Sequence, residues 1–161
     1  MELNLKYPPT PEAAPQHAAL VVQTARKVSG VTLDYSVQSL AAVDEILDGW
    51  HQESVPAEQV AATLFAFGCY VGEVFVRHAG ARWVSAEGTA MDDFAGFFIV
   101  LEVGPKNLVN PIGKVFKRLE NGIEDNLPYF YRVFAHPHGA PVPETPPPPR
   151  SFFTRLFGRL K

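Results

Sequence analysis

A chain of 161 residues with 47% apolar and 12% aromatic side chains has material for one self-supporting core and is too apolar to remain disordered. Its single cysteine, Cys69, excludes an internal disulfide and any multi-cysteine zinc site. The net charge of −3 is divided: Arg150, Arg155, Arg159 and Lys161 put +4 on the last 12 residues, leaving −7 on the other 149, an acidic body ill suited to nucleic acid.

Residues 1–14 read as an extended, proline-punctuated arm. They carry no basic stretch followed by an apolar one, so no secretion signal is expected. No uninterrupted apolar run reaches bilayer length, and a cytoplasmic protein is the expectation. A first helix is predicted from about Pro15 to Ser29, with Gly30 as its stop. In SVQSLAAVDEILDGW, Leu40, Val43, Leu47 and Trp50 form one helical stripe, with Asp34 or Ser36 as the cap and Asp44, Glu45 and Asp48 facing outward. The third helix should open at Pro56, with Glu58 at its positive end, and run to His78 before Gly80.

The period then changes. ARWVSAEGT and MDDFAGFFIVLEV predict two strands joined near Glu87, Gly88 and Thr89, and Phe97 to Val103 carries the strongest β signal. NPIGKVFKRLENG predicts a helix with Ile112, Val115, Phe116 and Leu119 inward and Gly122 at its end. IEDNLPYFYRVF predicts a short last helix that lays Tyr129, Phe130 and Val133 on the body. Seven prolines between Pro137 and Pro149 make 135–149 a stiff polyproline-like linker. The expected fold is α+β: one mainly helical domain over 15–134 with a small antiparallel sheet of two or three strands.

LDYSVQSLAAVDEIL, GCYVGEVFVRHAGARW and NPIGKVFKRLENG, in that order, resemble a group of uncharacterised bacterial domain-of-unknown-function proteins. In that group an aspartate–serine turn opens a helix. A Gly-x-Tyr-x-Gly-Glu helix then leads into a glycine–tryptophan strand, and an Asn-Pro helix follows. The resemblance spans roughly Leu33 to Val133. It implies a compact α+β domain of a kind that often acts by binding other proteins, and it brings no catalytic residues with it.

Among candidate sites, Glu73 lies in the glycine-spaced run that holds Gly68 and Gly72, four residues before Arg77. That spacing favours an ion pair, and Arg82 or Lys114 could approach as well. A structural pair is expected rather than a catalytic acid, because perturbed acids mark sites only statistically. Glu73, Arg77 and Arg82 are nevertheless the residues of a hydrolase-like pocket if one exists. Asp92 and Asp93 read as solvated turn acids. The five histidines are scattered; His136 and His138 form the one close pair, with neither cysteine nor acid beside them, so neither metal nor cofactor is expected. Cys69 reads as a small buried apolar residue.

The C-terminal SFFTRLFGRLK is the sharpest feature. Phe152, Phe153, Leu156, Phe157 and Leu160 fall on one helical face, against Arg155, Arg159 and Lys161. Large apolar residues against cations are the composition of an interfacial anchor or a groove-binding peptide. The function read from the sequence is a non-enzymatic interaction or adaptor protein whose tail binds a protein partner's groove or an anionic membrane surface, at the inner membrane in the latter case. The alternatives are a small hydrolase using Glu73 with Arg77 or Arg82, and a toxin-neutralising protein that engages a basic partner through its acidic surface.

Overall fold

A computed structural model of the chain describes residues 3–92 and 98–136. Among them are five α-helices and a three-stranded antiparallel sheet: α1 (Ala14–Ser29), α2 (Leu40–Gln52), α3 (Ala57–Ala79), β1 (Arg82–Ser85), β2 (Ile99–Glu102), β3 (Leu108–Val109), α4 (Pro111–Asn121) and α5 (Leu127–Phe134). The fold is α+β and mainly helical, as the periodicity predicts.

Helix α3 is the axis of the domain. It packs between α1 and α4, while α2 lies across α4 and α5. An unbroken run from Leu64 to Phe75 is buried, because this helix meets neighbours around most of its circumference. Leu64, Phe65, Tyr70 and Phe75 are sealed within it, and each contributes on the order of 2 kcal/mol from apolar burial. At 23 residues α3 is long and apolar enough to cross a membrane, but 72% of its most apolar window is buried inside the domain.

The helix ends follow their glycines. Gly30 and Gly80 both adopt φ of 65°, and their N–H groups return to Ala25 and Phe75. Asn110 and Asn126 cap α4 and α5, accepting from the N–H groups of Gly113 and Tyr129 at 2.8 and 2.9 Å. The start of α2 differs from expectation. Asp34 Oδ1 accepts from Ser36, and Ser36 Oγ accepts from the N–H of Ser39, so the two residues build the turn that precedes the cap. The N-terminal arm is tied down as well. Leu3 and Leu5 pack on the core, a 3₁₀ turn covers Pro11–Ala13, and the His17 ring donates to Pro8 O at 3.1 Å.

In the sheet β2 lies between β1 and β3, with Trp83 opposite Leu101 and Leu101 opposite Val109. Period-two alternation sends Ile99, Leu101 and Val103 into the main core. Val100 joins Ala86 in a small cluster flanked by Val84, Met91 and Leu108.

Candidate functional site

The conspicuous acid of the sequence is spent inside the fold. Glu73 is buried on α3, and its Oε1 accepts a hydrogen bond from the indole N–H of Trp83 at 2.9 Å. Two glycines make this contact available. A Cβ on Gly72 would collide with the six-membered ring of Trp83, so the indole can approach the helix backbone closely there. A Cβ on Gly68 would stand 2.5 Å from Ile112 Cα, which is where α4 closes on α3.

The predicted arginine partners go elsewhere. Arg82 pairs across the sheet with Glu102 at 3.0 Å, on the surface, where such a bridge contributes little. Arg77 lays its guanidinium 3.6 Å from the centre of the Tyr35 ring. Lys114 bonds Asp125 at 2.5 Å. Glu73, Arg77 and Arg82 are therefore not brought together as an ion-paired group. The i, i+4 rule describes an isolated helix surface, and here an aromatic ring has taken the arginine first.

That ring belongs to a cluster the sequence did not announce. Tyr35 holds φ at 62°, a left-handed conformation rare for a bulky residue. It is pinned from several sides. Its N–H donates to the Tyr70 hydroxyl at 2.8 Å, its carbonyl accepts from the His78 ring at 2.9 Å, and its ring stacks on Tyr70. Ser39 Oγ donates to Ser36 O at 2.6 Å, so the Tyr70 hydroxyl must be the donor in its own 2.6 Å bond to Ser39 Oγ. Burial raises the Tyr70 pKa and so keeps this donor protonated. The cluster locks the loop before α2 onto the end of α3, and its groups are consumed in doing so.

A second polar group was missed because its members lie far apart in sequence. Arg118 of α4 is fully buried; its Nε and Nη2 bond Asp44 at 2.9 and 3.1 Å, and Nη2 bonds Asp48 at 2.7 Å. Asp44 also accepts from the N–H of Leu127 at 2.8 Å, which ties the start of α5 to α2. Burial works against the Arg118 charge, but the two carboxylates prevail and raise its pKa. Asp44 and Asp48 are thus not outward-facing; of the three predicted α2 acids, Glu45 is the exposed one.

Other expected features resolve simply. Cys69 is sealed in the core, where burial, with the charge of Glu73 adding to it, pushes its thiol pKa far above the ordinary value. Asp92 accepts from the N–H of Gly88 at 3.0 Å in a turn. Asp93 and His138 lie outside the described residues. Among the described residues no cluster of three or more His, Cys, Asp and Glu could hold a metal, and no serine or cysteine is hydrogen-bonded to a histidine. The chain matches no family model, no curated protein and no solved structure.

Among the described residues, large apolar side chains are exposed at Val28 and Phe98 as well as around α5. Tyr129, Val133 and Phe134 are 53%, 41% and 45% exposed, and Ile123, on the turn that leads in, is 49% exposed. Tyr129 and Val133 were expected to face the body. The Asn126 cap and the Leu127–Asp44 bond instead set the helix so that Leu127, Phe130 and Tyr131 turn inward, with Phe130 and Tyr131 meeting Phe75 at ring distances of 5.6 and 4.8 Å. Residues Phe152, Phe153, Arg155, Leu156, Phe157, Arg159 and Leu160, the predicted binding segment, lie outside the described residues.

Proposed function

We propose that the chain is a non-enzymatic interaction or adaptor protein, bound to its target through its C-terminal end. Residues up to 134 supply a scaffold, 135–149 a proline-rich reach, and 150–161 the contact with a partner groove or an anionic membrane surface. One observation carries this reading. Tyr129 and Val133 stand exposed together on one face of α5, the last described helix, near the point where the chain leaves the domain for its basic amphipathic segment. Clustered exposed apolar groups mark interaction surfaces. An isolated helix of about a dozen residues is marginal in water, so 150–161 gains order from what it touches. Each cation near an anionic lipid surface adds about 1 kcal/mol.

The alternatives gain no observation. The buried Glu73 is engaged by Trp83, and Asp44 and Asp48 are engaged by Arg118. The test is co-sedimentation of the intact chain, and of one ending at Pro149, with phosphatidylcholine vesicles holding about a third phosphatidylserine, beside a pull-down with both. Binding should vanish with the last 12 residues while Tm moves by no more than about 4 °C. Equal binding by both chains overturns the proposal.

A further inference from the structure

We propose that the end of the domain where α1, α3 and β2 finish lies against an anionic membrane and orients the domain once segment 150–161 has brought it there. The inference rests on reading 150–161 as the binding segment, and it selects the membrane from that segment's two targets.

Packing collects cations that the sequence scatters. α1 and α3 run the same way. His17, near the start of α1, meets Phe65 at a ring distance of 4.9 Å, while Tyr35, just beyond the end of α1, meets Tyr70, Arg77 and His78. Their last turns, with Arg26 and Lys27 on one and Arg77 and His78 on the other, therefore share one end of the domain. β1 starts at Arg82, directly after that end, and its register pairs Arg82 with Glu102. The turn from β2 to β3, closed by the Val103 N–H on Asn107 O at 2.8 Å, is thereby brought to the same place with Lys106.

Arg26, Lys27, Arg77, Arg82 and Lys106 are all exposed there, against the exposed Asp34 and the half-buried Glu102. Glu73, the other acid nearby, is buried and bonded to Trp83. Among the described residues, Arg82 alone of these cations is ion-paired. A cation in a last helical turn answers the helix dipole, but Arg82 and Lys106 are on no helix. The opposite end, where α2 and α4 finish and α3 begins, is held by the His51 ring donating to Leu119 O at 2.7 Å. It exposes Glu53, Glu58, Glu120 and Glu124, with Lys117 one turn back on α4. A domain so polarised turns its basic end toward a negative surface.

The exit of the chain selects the kind of surface. Phe130 and Tyr131 of α5 meet Phe75, one turn from the end of α3, so the chain leaves the domain near the basic end. The residues 135–149 that follow span at most about 50 Å. A groove that takes a helix of a dozen residues engages 150–161 and nothing else. A sheet of anionic headgroups extends past that contact and meets the basic end as well. Tethering supplies this second contact at an effective concentration in the millimolar range. On a body of −7 the basic end does not hold the domain by itself; it adds to what the segment begins.

Nanodiscs of phosphatidylcholine with about a third phosphatidylserine, doped with a nitroxide-labelled lipid, should broaden the amides of Lys27, Arg77 and Lys106 in the ¹⁵N-labelled intact chain. Those of Glu53, Glu58 and Glu120 should stay sharp. Lys27→Gln and Lys106→Gln should each weaken binding to the phosphatidylserine vesicles about fivefold, with Tm unchanged. Lys117→Gln, an equal loss of charge at the acidic end, should weaken it by no more than about twofold. Salt at about 0.5 M should erase the difference. Broadening at the acidic end or evenly over the domain, or equal effects of the three variants, overturns the proposal. So does a loss of captured protein in Lys27→Gln and Lys106→Gln with vesicle affinity intact, or an intact chain that binds no vesicle. Recruitment by the segment fails separately, if the chain ending at Pro149 binds as the intact chain does.

Discussion

At the scale of single residues, the account turns on how Glu73 is satisfied. Trp83→Phe keeps the apolar bulk but removes the donor, and should cost about 1–3 kcal/mol for a buried carboxylate left short of a hydrogen bond. Glu73→Gln keeps an acceptor for the indole and should cost less; urea unfolding of the two variants ranks them, and the reverse order would contradict the assignment. Gly72→Ala forces a methyl group into the Trp83 ring and should cost at least as much as Trp83→Phe, since overpacking typically costs about 1–3 kcal/mol. The sequence favoured a structural role for Glu73, but as an ion pair with Arg77 or Arg82. It did not show the partner, because Trp83 reaches Glu73 only after the chain turns at Gly80 and Ala81 and folds back over Gly72. Spacing along a helix is blind to that return.

At the scale of elements, polar contacts set how the helices meet. Arg118→Met should destabilise by about 3 kcal/mol, the lower end for breaking a buried pair, because Asp48 is 26% exposed and water screens it. The same variant should loosen α5, whose first N–H rests on Asp44, and hydrogen exchange at Leu127 reports that. Asp125 gives a pH signature. Burial pushes its pKa upward, but hydrogen bonds from Lys114 and Asn121 outweigh that and hold it below the ordinary value. A carboxylate lowered on folding contributes stability above its unfolded pKa of about 3.9, and that contribution is lost as pH falls through the folded value. The stability gap between the parent and Asp125→Asn should therefore be constant near neutral pH and shrink below about pH 4 in thermal unfolding. Helices α1, α3 and α4 were legible from period, proline and glycine. β3 was not, since two residues between Gly104 and Pro111 carry no periodic signal. The facing of α5 failed because two stripes, 129/130/133 and 127/130/131, are both helical, and a cap together with a carboxylate 83 residues away chose between them. Asp44 and Asp48 looked like a solvated face for the same reason: their arginine lies 74 and 70 residues downstream.

At the scale of the molecule, a scaffold closed around α3 hands its chain to a linker and a basic amphipathic end. Cys69 measures how closed that scaffold is: thiol labelling of the native protein should proceed only at the rate of global opening and become rapid in denaturant. The fold class was readable because α2, α3 and α4 announced their buried faces, while the cluster around Tyr35 was not, since its strain and bonding exist only once α2 and α3 meet. The central claim is that binding resides in the C-terminal end and not in a pocket of the domain. Its most direct test transfers residues 135–161 to an unrelated carrier protein and measures binding to the phosphatidylserine vesicles and to proteins captured by the intact chain. The carrier is expected to acquire the binding. A carrier that stays inert while the intact chain binds would contradict it.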